Sequence, residues 1–581
     1  YADQGDLEQA IEVYAKALSL KSDYFSAHYN MGNALRHLGR LDEAVDAYKN
    51  ALLLRPDHFE AHNSLGLVYR AQGHFDKAVA AHDRALSLNS HSANLYNSLG
   101  ITLKIHGKLD QALEAYNKAL SLNPSYAEAY NNKGNIFRER GSLNEALEAY
   151  QTANLLKSDY SDAQINMGII LQDQGKPLEA IDVYKKFLLI EPASPSARAN
   201  KCHQQAGICD WSSIEEDREF FAQCGAPQGL LQPFILLPLE DAPERHLLRS
   251  ESYGAQICSQ EPLGMPPRPS KKPERLRIGY FSADFHNFPG MHLMAGLFEK
   301  HDRAHFEIFA YSYGPDKRDT MRQRLVKAFD TFRDIREMSD KDVALMARRD
   351  NIDIAIHRNG YTKNERSGIF AFRAAPIQIN FLGFPGTLGA PFIDYIVADK
   401  TVIPPELEHC YSERVISLPN TYQPNDNTRI VSDKDVTRTD MGLPEQGFVF
   451  CCFNNAYKIS PDEFDIWMRL LGQVEGSVLW LLKSNKWAEA NLRMEAEKRG
   501  ISGERVVFAE KIAPSEHLGR HRLADLFVDT FNYNAHTTAS DALWVGLPVV
   551  TKMGRGFAAR VAGSLLSAVG LPELITETAG D

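Results

Sequence analysis

The sequence predicts an α-solenoid of helical repeats followed by an α/β region built as two parallel, doubly wound lobes. Two observations carry this: a 34-residue period in the first third, and apolar strand-like runs alternating with helical stretches from residue 275 onward. A third bounds it. At 581 residues the chain exceeds what one hydrophobic core supports, so several domains are required.

The period is carried by three landmarks. Gly32, Gly66, Gly100, Gly134 and Gly168 recur every 34 residues, as do Gly39, Gly73, Gly107, Gly141 and Gly175, and Ala44, Ala78, Ala112, Ala146 and Ala180. The last two series begin earlier, at Gly5 and Ala10, so a half repeat precedes five full units, 25–58 through 161–194. Each unit reads as two helices. The early Gly lies where a neighbouring helix comes close, the second Gly ends the first helix, and the small Ala permits tight contact beside an apolar stripe at Tyr48, Leu52 and their equivalents. The pattern resembles the tetratricopeptide repeat. Such solenoids offer a concave groove to extended peptides. Asn30, Asn132 and Asn166 share one repeat position with Ser64 and Ser98. Their amides can hold a peptide backbone, or they are solvated helix positions.

The boundaries expected are 1–194 for the array, 195–273 for a connector, 274–430 for a first lobe and 431–581 for a second. The period is expected to stop after Pro192 and Pro195, leaving an irregular connector with some helix in "WSSIEEDREFFAQ" and a proline-rich linker, "EPLGMPPRPSKKPE". Strand-like runs in the first lobe are "RLRIGYFS", "FEIFAYSYG" and "IDIAIH", with helices near 317–330 and 340–349. In the second they are "FVFCCFNN", "SVLWLLK", "RVVFAE", "LADLFVDT" and "LPVVT".

Composition excludes several classes. A net charge of −11 argues against general nucleic-acid binding, which needs a basic face. The seven cysteines, 202, 209, 224, 258, 410, 451 and 452, form no CxxC pair, so neither a disulfide framework nor structural zinc is expected, and a reduced, cytoplasmic setting is. No apolar run approaches the roughly 20 residues of a membrane span. The chain opens inside a repeat, so Tyr1 need not be the natural N-terminus. No GxGxxG follows the first strand and no GxxxxGK[ST] occurs, which weakens dehydrogenase and P-loop readings.

Chemistry concentrates after strand ends of the second lobe. Lys458 follows "FVFCCF"; His517 and Arg520 share a helix face at i, i+3; His536, Thr537 and Thr538 open a helix after "LFVDT", with Asp541 one turn on. Singly each has a bland explanation. Together they compose a diphosphate pocket, because a helix N-terminus adds free N–H donors and partial positive charge.

The stretches "RLRIGYFSADF", "RNGYTK", "RAAPIQINFLGFPGTLGAPFIDYIVAD", "CCFNNAYKI" and "NAHTTASDALWVG" resemble the catalytic region of the O-GlcNAc transferase family, whose members also carry tetratricopeptide repeats ahead of it. The resemblance covers nearly the whole chain. It implies a GT-B fold of two Rossmann-like lobes and inverting transfer of N-acetylglucosamine from UDP-GlcNAc to Ser or Thr hydroxyls of proteins held in the repeat groove. It further implies that Lys458 neutralises the β-phosphate of departing UDP and that Asn455 and Tyr457 flank phosphate and acceptor. His517 would stack on uracil above Arg520, beside Ala513; His536, Thr537 and Thr538 would hold phosphates and sugar; Asp541 would hold the ribose. Gly383 and Pro385 would line the sugar pocket. No cofactor or metal is expected, since the positive charge comes from Lys458 and helix donors and no DxD pair is placed for a metal. A homodimer through the repeats is compatible with the same resemblance.

The chain departs from the family in two places: a family histidine of the apolar segment ahead of the first lobe has no counterpart in "LLQPFILLPL", and one motif is altered. "DFHNFPGMH" keeps Asp284, Phe285 and Asn287 but has Phe288 where the family has histidine. Three outcomes stay open: His286, His292 or His357 substitutes; the acceptor loses its proton late, to Asp284, a water chain or a phosphate oxygen; or activity is weakened. Other readings are the same fold with GDP-fucose as donor or asparagine as acceptor of glucose, and a repeat scaffold with a degenerate catalytic half.

Overall fold

The structure, a computed structural model, describes residues 6–223, 231–257, 263–266 and 273–581. By its internal contacts the chain divides into two units, Tyr1–Glu179 and Ala180–Asp581, the division falling inside the helix Pro177–Ile190.

In the first unit a half repeat, Leu7–Leu20, precedes helix pairs such as Phe25–His37 with Leu41–Leu54 and Ala93–Ile105 with Leu109–Leu122. The glycine periods now have causes. A Cβ at Gly32, Gly100 or Gly134 would lie within 2.8 Å of the ring of Tyr48, Tyr116 or Tyr150, and one at Gly66 within 2.7 Å of His82, which takes the tyrosine position. The first glycine is therefore the floor on which the partner helix lays an aromatic ring. The second, at Gly39, Gly73, Gly107, Gly141 and Gly175, adopts φ between 71° and 81°, the left-handed conformation that ends a helix.

The expectation that the period stops at Pro195 is corrected. The helix Pro195–Gly207 begins 34 residues after Ser161–Asp173 and has the same length of 13 residues. Cys202 and Cys209 stand at the two glycine positions, and Cys209 keeps the positive φ, 52°. The landmark residues changed while the backbone plan persisted, so the glycine pattern missed this helix. The connector also holds helices Ile214–Gln223 and Pro243–Ile257. Its proline-rich stretch lies mostly outside the described residues.

Two parallel sheets follow. The first runs β3-β2-β1-β4-β5-β6-β7, with β1 Leu276–Ser282, β2 Phe306–Ser312, β3 Thr331–Asp334, β4 Ile354–His357, β5 Ile377–Asn380, β6 Tyr395–Asp399 and β7 Arg414–Leu418. The second runs β10-β9-β8-β11-β12-β13, with β8 Val449–Cys452, β9 Val478–Leu482, β10 Val506–Ala509, β11 Leu526–Val528, β12 Val549–Lys552 and β13 Ile575–Thr576. Strands buried on both faces read as continuous apolar runs, and "VFCC" of β8 is buried throughout. Strand order reverses between β1 and β4 and between β8 and β11. Parallel sheets bind ligands at such switch points, beyond the C-terminal strand ends. One buried apolar cluster contains Phe285 and Met291 of the first lobe and Phe453 and Ala539 of the second, so the lobes share a core. Among the described residues no helix is long and apolar enough to cross a membrane.

The glycine–tyrosine packing gives a test. Gly100→Ala should cost about 1–3 kcal/mol, as overpacking does, measured by urea denaturation. The loss should shrink on a Tyr116→Ala background, where the ring is gone. Gly107→Ala, which meets no atom within 4 Å but sits at φ 81°, should cost about 1–2 kcal/mol on either background.

Candidate active site

The second lobe assembles its site from the loops after β8 and β11, adjacent strands at the reversal. Asp529 binds these loops together. Its Oδ1 accepts from the backbone N–H groups of Thr530 (2.8 Å) and Ala535 (2.7 Å) and from Asn454 Nδ2 (3.2 Å), and its Oδ2 accepts from Thr551 Oγ1 (2.7 Å). Asn454 in turn accepts from Thr538 Oγ1 at 2.5 Å. The helix Thr537–Trp544 is thus tied at its first turn to the loop that carries Lys458. It starts where expected, and His536 gives it no side-chain cap, which leaves first-turn N–H groups without intrahelical partners.

Lys458 ends the 3-10 turn Ala456–Lys458 and is buried. Its Nζ donates to the Asn534 carbonyl at 2.8 Å and lies 3.8 Å from the Tyr533 ring centroid. Burial lowers its pKa from 10.5 to about 8, opposed by the charge of Asp529. His536 donates Nε2–H to the Ala558 carbonyl (3.1 Å), and burial together with Lys458 holds it well below its usual value, so the ring is neutral.

The helix Pro514–Arg520, whose N-cap is Ala513, does bring His517 and Arg520 together: Arg520 Nη2 lies 2.5 Å from His517 Nδ1. Arg520 is buried, donates Nη1–H to the Glu510 carbonyl and stacks 4.9 Å over Phe453. Burial first, then His521 and Arg520, bring the His517 pKa down to about 2. The result is a neutral, half-exposed imidazole with its Nδ1 turned to an arginine, suited to face a base.

The first lobe contributes the ends of β1, β4 and β5. Asp284 Oδ2 accepts from Arg358 and from Asn359 Nδ2 (3.0 Å). Gly290 makes room for the Arg358 guanidinium, and a Cβ at Gly383 would lie 1.9 Å from the Arg358 carbonyl oxygen. Phe288 caps the helix Pro289–Glu299, 39% exposed, with Arg358 5.5 Å over its ring. Phe384, in the same loop as Gly383 and the buried Pro385, shares an apolar cluster with Tyr533 and Ala558 of the second lobe.

Several expectations are corrected. His357 is wholly buried, stacked 4.3 Å from Phe370, with Nε2 2.8 Å from Ser367 Oγ and Nδ1 accepting from Gly360 N–H; burial holds its pKa near 3. It is a structural histidine. Asp284 is engaged by Arg358 and Asn359 instead of standing ready as a base. Tyr457 turns into an aromatic group with His203, Phe234 and Tyr533, beneath the connector, while Asn455 is exposed. Asp541 is ion-paired to Arg429 at 2.6 Å. His292 remains half-buried at the lobe junction, its Nε2 2.8 Å from Asn287 Oδ1. In the first unit Asn132 donates to Asn97 and Asn166 to Asn131, both at 3.0 Å, so these amides join neighbouring repeats; Asn30 is exposed.

Sequence reasoning missed Asn454, Asp529, Arg358 and Arg429. The first three lie inside or beside quoted stretches, at strand ends, where position alone was a signal. Arg429 lies in a loop with none. The five described cysteines are free and buried. Among the described residues Glu244, His409 and Cys410 bring three potential metal ligands within 4.8 Å, with Glu244 also ion-paired to Arg555.

Comparison with known proteins adds four findings. The model of glycosyl transferase family 41 matches residues 252–434 and 427–581, more than half of the chain, and tetratricopeptide models match within 1–175. A probable UDP-N-acetylglucosamine–peptide N-acetylglucosaminyltransferase (SEC) of Arabidopsis thaliana is 39% identical over 358 residues, 59% of this chain and 36% of that protein. A UDP-N-acetylglucosamine–peptide N-acetylglucosaminyltransferase of Caenorhabditis elegans is 30% identical over 498 residues, 64% of this chain and 43% of its own. The chain therefore spans less than half the length of these relatives. The solved structure of a mutant Thermobaculum terrenum O-GlcNAc transferase aligns with TM-score 0.53 at 24% identity over 90% of this chain and 87% of that one, the same GT-B fold behind helical repeats.

The Lys458 environment predicts a stability signature. Folding strips water from the ammonium, so between its folded pKa of about 8 and its unfolded value of 10.5 the unfolded chain binds more protons and stability rises with pH. Lys458→Met should therefore stabilise the protein at pH 7, by at most about 3 kcal/mol, since the contacts to Asn534 and Tyr533 are lost too. Relative to wild type, the Met variant should lose this advantage as pH rises from 8 toward 10.5 in urea titrations. A stability difference that is flat in pH contradicts the assignment.

Proposed function

The chain belongs to glycosyl transferase family 41, and from that premise we propose that it is a protein glycosyltransferase, moving N-acetylglucosamine from UDP-GlcNAc to Ser or Thr hydroxyls of proteins. The observation that carries the reading is the meeting of Lys458, His536 and the start of the Thr537 helix beyond β8 and β11. A departing diphosphate develops negative charge, and a preorganised ammonium beside free helix N–H groups stabilises that charge without a metal.

The remaining roles are those the family resemblance implies, and the geometry supports them. The neutral His517 ring, steadied from beneath by Arg520, stacks on uracil, and Asp541 accepts from the ribose. The acceptor hydroxyl attacks the anomeric carbon opposite the leaving UDP, which inverts that centre. Because Asp284 is held by Arg358 and His357 is buried, the acceptor proton leaves late, to water or to a phosphate oxygen. Acceptors lie along the repeat groove, where the exposed Asn30 offers hydrogen bonds while Ser64 is buried and Asn132 and Asn166 are partly spent. A cytoplasmic setting accords with the free, buried thiols.

A second reading, a repeat scaffold without turnover, is favoured by Phe288, which cannot exchange a proton. The two separate cleanly. With UDP-GlcNAc and a protein acceptor, the enzyme should release UDP and add one N-acetylhexosamine mass to the acceptor. Lys458→Ala should slow release by about 10²–10³-fold, the cost of removing an electrostatic contact to a developing anion. No UDP binding supports the scaffold, and UDP binding without turnover points to a weakened enzyme; full turnover in Lys458→Ala refutes the role given to Lys458.

A further inference from the structure

The segment joining the two lobes, 423–429, alternates its attachments. Asn425 accepts from Ser540 of the Thr537 helix, in the second lobe. Asp426 then accepts from Arg324 at 2.5 Å and Asn427 from Lys300 at 3.0 Å, both in the first lobe. Thr428 accepts from Arg324 as well, at 3.1 Å. Arg429 returns to the second lobe and Asp541. The Pro289 helix makes way for this crossing at Gly296, where a Cβ would come 3.0 Å from Asp426 Oδ1.

Arg429 is the member with unspent capacity. Its side chain is 8% exposed, and its Nη1 is buried with no hydrogen-bond partner. Its Nη2 lies 2.6 Å from Asp541 Oδ1, but no donor is well aligned on that oxygen, so the contact is a skewed ion pair. Four titratable groups feel the guanidinium: Asp541 of the Thr537 helix, His517 and His521 of the Pro514 helix and the turn after it, and His292 of the Pro289 helix. Asp426 and Arg324 stand on the His292 side. Burial lowers all three histidines, and Asp541 supplies the negative charge facing Arg429.

We propose that Arg429 is a positioning residue of the nucleotide site: it keeps the buried Asp541 carboxylate ionised and oriented to accept from the ribose hydroxyls. The inference rests on the donor-site reading above. Its logic is one of opposed effects. Removing Asp541 from water favours its neutral acid and raises its pKa, and the adjacent guanidinium opposes that. A neutral acid is a much weaker acceptor than a carboxylate, since charge-assisted hydrogen bonds are roughly twice as strong. Without Arg429 the ribose contact becomes dependent on pH.

The test compares UDP with 2′,3′-dideoxy-UDP by calorimetry at pH 6, 7 and 8.5. The ratio of the two dissociation constants isolates the ribose, because phosphate ionisation affects both ligands alike. Wild type should prefer UDP by about tenfold or more across this range, the worth of a charge-assisted hydrogen bond. Arg429→Met should lose the preference at pH 6 and regain it toward pH 8.5 as Asp541 ionises. Arg429→Lys should restore a flat profile. Asp541→Asn should abolish the preference at every pH, and Arg429→Met added to it should change nothing further. Arg429→Gln serves in place of the Met variant if that one does not fold. A Met variant with the wild-type ratio, flat in pH, overturns the inference. So does a wild type that binds UDP without distinguishing the dideoxy analogue, which leaves the donor-site reading standing. A wild type that binds no UDP overturns both.

Discussion

The burial of one ammonium organises the second lobe. Taking Lys458 out of water is costly, and the protein offsets that cost with a carbonyl, an aromatic face and the nearby charge of Asp529, none of them a direct ion pair. To hold Nζ there, the loops after β8 and β11 must be fixed against each other, which Asp529 does by accepting from Asn454, and Asn454 extends the link to Thr538; the bonds from Thr530, Ala535 and Thr551 hold Asp529 itself in place. The Thr537 helix is thereby tied at its first turn to the loop that carries the lysine. Strand reversal, buried carboxylate, helix start and lysine form one arrangement in which each part depends on the others.

The solenoid rests on a different constraint, the contact of an aromatic ring with a glycine. It repeats at Tyr48, His82, Tyr116 and Tyr150, and each instance fixes the spacing between two helices. His82 shows how far the position tolerates change: the imidazole fills the ring's place and bonds Asn63 at 3.0 Å and Thr102 at 3.1 Å, with burial taking its pKa to about 4. The shape of the residue, rather than its polarity, is what the position selects.

The same distinction explains what was legible in the sequence. The repeats, the strand alternation and the start of the Thr537 helix could be read because each rests on a local rule: a glycine conformation, an apolar run, a cluster of polar residues opening a helix. The helix Pro195–Gly207 escaped because its glycines became Cys202 and Cys209 while the backbone conformation stayed. The buried state of His357 was not legible either, since a strand end is where a functional histidine sits and burial is decided by Phe370 and Ser367. Arg429 is harder still. Its significance comes from a partner 112 positions away, and the segment around it carries no periodicity or motif. The peptide-facing asparagines fall between these cases: the period located them, but the bonds from Asn132 to Asn97 and from Asn166 to Asn131 depend on how adjacent repeats stack.

The central claim is that Lys458 is a buried cation whose hold on its proton is weakened by desolvation until an anion meets it. Proton uptake on UDP binding tests this most directly, by calorimetry at pH 8 in buffers of different ionisation enthalpy. With a starting pKa of about 8, binding should draw in roughly half a proton as the diphosphate restores the full charge, and Lys458→Met should abolish the uptake. UDP binding with no proton uptake in the wild type would contradict the account.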